Sequence, residues 1–172
     1  MKKLRDTVGK IINSINYVGM AVCFIMVFVV AIDVVLRKVS GQKLSITGSN
    51  EFSQYFLVVM CMFAIPALQV KRGHVWVNMF VDKFKPKFRS IWLGIIHLLE
   101  TVVSGAFCVG CYSYAMSLMQ GGRHSDVLNL PMWPFALVCS IGFLELTVIL
   151  LIDTIIFFQE GAKGGTELPK EN

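Results

Sequence analysis

Among the ionisable side chains inside long apolar runs of this sequence, three lie deepest: His97, Glu100 and Glu145. His97 and Glu100 are three residues apart, so on a helix they share one face. A charge near a bilayer centre costs about 2.5–3.5 kcal/mol on insertion scales, so such groups face protein or water. Two chemistries fit them. One is a proton or ion path. The other is a polar patch that docks helices on each other or on a partner subunit. Neither glutamate has a Lys or Arg at helical spacing within its own run. A path also needs more polar lining than the chain provides, so packing is the expectation.

Redox and metal chemistry have fewer residues to draw on. A haem-carrying anchor subunit needs axial ligands, usually His, facing each other in the bundle. Of the three histidines, only His97 lies at a plausible depth; His74 sits at the end of one apolar run and His124 in a loop. The five cysteines, Cys23, Cys61, Cys108, Cys111 and Cys139, all fall in apolar runs, where Cys behaves as a small hydrophobe. Cys108 and Cys111 share a helical face, but no second pair or nearby His completes a metal site. No nucleophile motif or phosphate loop is present. The expectation is therefore no catalytic, cofactor-binding or metal-binding residue, and no enzyme.

The elements that carry these residues follow from composition. Of 172 residues 55% are hydrophobic and only 16% charged, with a mean hydropathy of +0.66. A soluble domain is nearer 45–50% apolar. The fold class expected is an all-α membrane protein with four transmembrane helices, over residues 17–36, 52–70, 90–119 and 132–158. The first run is too long for a signal-peptide core and is read as retained. Asp33 and Arg37 stand i, i+4 near its end, in the favourable order for an ion pair, although a plain interface anchor is preferred. In the polar loop that follows, Thr47, Ser49 and Asn50 are candidate N-caps. Glu51 marks the helix-2 start, where a carboxylate complements the helix dipole. Pro66 is expected to kink the second helix. Ser104, Gly105 and Gly110 permit close packing of the third.

Between the second and third runs lies the most basic stretch, residues 71–89, KRGHVWVNMFVDKFKPKFR. On a helical wheel Trp76, Val77, Phe80, Val81, Phe84 and Phe88 fall on one side, and Asn78, Asp82 and Lys85 on the other. This predicts an amphipathic segment in the headgroup layer. Val75, Val77, Met79 and Val81 also alternate with period two, so a short strand stays open.

Charge sets the orientation. Placing residues 1–16, 71–89 and the tail 159–172 inside puts twelve of the sixteen Lys and Arg in the cytoplasm. Both termini are then cytoplasmic, the tail being flexible. The net charge of +5 reflects this bias and contact with anionic lipid; with no recognition motif, nucleic acid is not an expected partner.

Taken in order, several features resemble the small membrane subunit of tripartite ATP-independent periplasmic (TRAP) transporters, over Leu4 to Phe158. They are the first helix ending in Asp33-Val34-Val35-Leu36-Arg37, and Glu51-Phe52 opening the second. Then come Lys71-Arg72-Gly73-His74-Val75, a compact form of the family's Arg–Gly–x–His-like signature, the basic connector, and Leu130-Pro131-Met132-Trp133 leading the fourth helix. The resemblance implies a fixed scaffold (stator) in a bacterial or archaeal cytoplasmic membrane. Its separate, larger membrane subunit carries the substrate and sodium sites and moves as an elevator. A periplasmic binding protein delivers an organic acid, of C4-dicarboxylate or sialic-acid type.

On that basis Trp76, Phe80, Phe84 and Trp133 are interface anchors. Arg72 and His74, with Gly73 relieving the helix end, meet the partner's inner surface or phosphate headgroups, so a bound phospholipid also fits. Arg37, Lys38, Lys43 and Arg123 either meet acidic patches of the binding protein or belong to solvated loops. The competing expectations are a haem b-type membrane anchor of a respiratory complex and a stand-alone small transporter.

Overall fold

A computed structural model describes residues 2–40, 47–71 and 86–162 of the chain. They form four helices: α1 (Lys2–Val39), α2 (Ser49–Val70), α3 (Pro86–Gly121) and α4 (Trp133–Ala162). Each is long and apolar enough to cross a membrane. The all-α membrane class expected from composition is the class observed, with no strand among the described residues beyond an isolated bridge between His124 and Pro131. Backbone hydrogen bonding explains the choice of helix, since a spanning segment must satisfy its own N–H and C=O groups.

Three helices outrun their apolar segments. α1 starts at Lys2, before the apolar run, because Val8 and Ile12 lie one turn apart and pack inward on α2 and α4. α3 starts at Pro86, whose fixed φ and missing N–H suit the first helical position. Helix α4 continues to Ala162. By contrast α2, at 22 residues, is roughly 33 Å long, close to the ~30 Å hydrocarbon thickness.

α2 does not begin on the expected side-chain cap. Its N-cap is Gly48, in the left-handed region at φ 82°, with no side-chain cap hydrogen bond. Leu128 explains the glycine, because a Cβ at Gly48 would lie 2.5 Å from that side chain. The helix then runs through Pro66, which is fully buried.

α4 is the hub. It packs along α3, against α2, and against the first turns of α1, while α1 pairs with α2. Among the described residues α3 touches no helix but α4. The molecule is thus a three-helix wedge of α1, α2 and α4 with α3 laid along α4. The core of the wedge is Ile12, Ala67 and Ile149, one residue from each helix.

α2 and α4 come into tight contact at Gly142. A Cβ there would lie 2.7 Å from the Met62 carbonyl oxygen. Pro66, four residues on, has no N–H to offer that carbonyl. The backbone hydrogen bond that Pro66 cannot make and the glycine that faces the free carbonyl therefore belong to a single contact.

Candidate functional site

Polar side chains tie the helices together at three levels. At the end of the bundle where α1 begins, Arg5 reaches across to α4. Its Nε donates to Asp153 Oδ1 at 2.6 Å and its Nη2 to the Val70 carbonyl at 3.0 Å. Asp153 is 1% exposed. One guanidinium so joins the start of α1, the end of α2 and the last third of α4. The planar fork of Arg suits this, since one side chain meets a carboxylate and a carbonyl at once.

At the opposite end Glu51 holds the α3–α4 loop. Its carboxylate accepts from the Ser125 hydroxyl and from the backbone N–H groups of Val127 and Leu128, both at 3.0 Å. Placement in the first turn of α2 agrees with the dipole argument, but the larger effect is to close the loop onto α2. The loop is also pinned within itself by Ser125 N–H to the Leu130 carbonyl at 2.8 Å.

Between these levels runs a seam of small polar residues joining α3 to α4. The Ser104 hydroxyl donates to the Phe143 carbonyl at 3.1 Å and accepts from Thr147 at 2.9 Å. One turn on, the Ser140 hydroxyl donates to the Cys108 carbonyl at 3.1 Å, and the Cys108 thiol to the Ser140 carbonyl at 3.4 Å. Phe107 stacks on Phe143 beside the seam. Bonds of this kind are worth about 0.6–2 kcal/mol each in a membrane. Ser104 is thus a packing position, whereas a Cβ at Gly105 would meet only Thr147 at 3.8 Å and one at Gly110 nothing within 4 Å. A much tighter glycine contact falls at Gly142, on α4.

The three intramembrane ionisable residues do not converge. His97 and Glu100 do meet, Nδ1 to Oε2 at 2.9 Å, and the His97 ring stacks on Phe157 of α4. Glu100 turns outward and lines an apolar groove between α2 and α3, floored by α4. Glu145 faces inward instead. It is 8% exposed, and neither carboxylate oxygen has a hydrogen-bond partner among the described residues.

The two described histidines, His97 and His124, stand 27 positions apart along α3 and its loop, about 40 Å at helical rise. They cannot share one iron. No group of three or more metal-ligating side chains forms among the described residues.

Asp33 and Arg37 form the i, i+4 pair at 2.8 Å, with Asp33 buried and Arg37 exposed. Arg37 and Lys38 end α1, and Arg123 lies exposed in the α3–α4 loop. Trp133 opens α4, half-buried. Lys43, Arg72, Gly73, His74, Trp76, Phe80 and Phe84 fall outside the described residues, as does the basic connector over 72–85, while its residues 86–89 belong to α3. Sequence reasoning missed the Arg5–Asp153 tie. Its partners lie 148 positions apart, and the one available signal was a lone Asp deep in an apolar run.

A family model described as "Tripartite ATP-independent periplasmic transporters, DctQ component" matches residues 26–159. No curated protein matches the chain, and no solved structure does.

Proposed function

The chain belongs to the DctQ component family of tripartite ATP-independent periplasmic transporters, and from that premise we propose that it is the stationary scaffold of a sodium-coupled importer of carboxylate-bearing acids. A separate, larger membrane subunit carries the substrate and sodium sites and moves against it. A periplasmic binding protein delivers the substrate, of C4-dicarboxylate or sialic-acid type. The chain itself performs no catalysis and holds no substrate.

One observation supports the stationary role above the others. The helices are cross-tied at both ends and in the middle: by Arg5 to Asp153 and Val70, by Glu51 to the α3–α4 loop, and by the Ser104 and Ser140 seam. A part that stays still while a neighbour slides needs such bonds, because packing alone between apolar helices in lipid gains little over lipid contact. The isolated positions of Glu100 and Glu145 suit a scaffold better than a conduit, which needs a connected polar lining.

In this reading both termini are cytoplasmic, which follows from the Lys and Arg distribution. Arg72, Gly73 and His74 then face the inner surface. Arg37, Lys38, Lys43 and Arg123 face the binding protein, where their positive charge would steer an acidic patch.

The test is co-purification with reconstitution. Tagged chain extracted from membranes that also hold the large subunit should bring it down. Vesicles should accumulate substrate along a sodium gradient only when both subunits and the binding protein are present. Recovery of the chain alone from those membranes, or uptake undiminished without it, would remove the scaffold reading.

A further inference from the structure

In the groove between α2 and α3 a charged group meets an open apolar surface inside the spans. Its walls are Ile65 of α2 and Leu99, Val103 and Phe107 of α3, its floor includes Leu146 of α4, and its volume is about 450 Å³. The three α3 wall residues are 62%, 54% and 55% exposed. Of the four carboxylates within the apolar runs, Asp33, Glu145 and Asp153 are buried. Only Glu100 is accessible, its side chain 37% exposed.

We infer that this groove seats a transmembrane helix of the large partner subunit, one that presents an apolar ridge to Leu99, Val103 and Phe107 and a Lys or Arg side chain to Glu100. This rests on the scaffold reading above and adds to it the face and the chemistry of contact.

Shape is the first argument. Among the described residues the backbones of α2 and α3 do not approach each other closely, and both lean on α4, so the gap is walled on two sides and floored on the third. A helix packed at the usual 8–10 Å from α4 would complete a four-helix square. Charge is the second argument. One Glu100 oxygen is held by His97 Nδ1, and that ring is fixed by stacking on Phe157. The carboxylate is therefore aimed before any partner arrives, and its other oxygen needs a donor. An acyl chain offers none, and an anionic headgroup would be repelled. A second copy docked by a two-fold axis through this groove would bring Glu100 toward its own symmetry mate, which opposes like charges in low dielectric. A basic side chain on an apolar helix satisfies both the walls and the acid.

The experiment uses the whole transporter in its native membrane. A photo-crosslinking amino acid is placed at Val103, in the groove, and separately at Phe24, which is 66% exposed on α1. The expected result is an adduct with the large subunit from Val103 and none from Phe24. Glu100→Lys should reduce the Val103 adduct and the co-purified large subunit by about tenfold or more, and Glu100→Gln by less, since a desolvated charge pair is lost in both but reversed in one. Comparable yield of the chain itself in the two variants separates lost contact from misfolding.

Adducts from Val103 only with lipid or with a second copy would overturn the groove assignment, as would an adduct from Phe24 in their place or an unchanged signal in Glu100→Lys. In each of those cases the large subunit still co-purifies with the unmodified chain, so the scaffold reading stands. Absence of the large subunit from the unmodified preparation would sink both.

Discussion

Arg5 and Asp153 show what one pair of side chains can decide. Breaking a buried ion pair by removing one member costs about 3–5 kcal/mol in comparable sites. Arg5→Ala and Asp153→Ala are each expected to lower the unfolding midpoint of the detergent-purified chain clearly, followed by tryptophan fluorescence. The double change Arg5→Leu with Asp153→Leu should recover much of the loss, because it removes both charges and refills the space. A double variant no better than the singles would mean that the bonds themselves, and not the imbalance of charge, carry the stability. Glu145 predicts the opposite sign. Its carboxylate is buried and meets no hydrogen-bond partner among the described residues, so Glu145→Met should leave the midpoint unchanged or raise it. A fall would reveal a partner that holds the acid, and with it a role beyond packing.

Among the elements, the α3–α4 loop depends most on a single contact. Glu51 takes the Val127 and Leu128 N–H groups and the Ser125 hydroxyl, so Glu51→Ala strips two backbone donors of their acceptor. Amide exchange at Val127 and Leu128 should accelerate by about tenfold or more, with exchange in the middle of α1 unchanged. Protection that survives the substitution would show the loop to be held by its own Ser125–Leu130 bond. Helix ends were the least legible feature at this scale. Residues 2–16 read as a polar basic segment, yet they are helical because Val8 and Ile12 find α2 and α4 to pack on. The N-cap of α2 fell to Gly48 and not to Thr47, Ser49 or Asn50, because Leu128 fills the space that a Cβ would need. Both outcomes depend on a neighbour more than fifty residues away in sequence, which no local propensity encodes.

For the whole molecule the decisive measurement is orientation. On a cysteine-free background, Asp126→Cys in the α3–α4 loop should react with an impermeant thiol reagent from outside the cell. Lys10→Cys near the start of α1 should react only after permeabilisation. The reverse pattern would invert the membrane placement, and would send the positively charged end of α1 to the periplasm against the distribution of Lys and Arg.

Hydropathy alone determined the four spans, their order and the membrane class, since the cost of unsatisfied backbone in lipid leaves helices as the way to cross with runs of this length. Local spacing put His97 and Glu100 on one helical face, where they pair; it also offered the Asp33–Arg37 pair that forms, although the sequence by itself favours a plain interface anchor there. What tertiary structure decided is which helices touch. A polar residue in an apolar run signals that a partner exists, but its address is a matter of helix rotation and depth. Arg5 for Asp153, the Ser125 turn for Glu51, Met62 for Gly142 and an open groove for Glu100 were set by the packing of α4 against its three neighbours. In lipid, apolar surface is interchangeable from one helix face to the next, so the few polar bonds and close glycine contacts such as Gly142 on Met62 select among arrangements that hydropathy leaves equal.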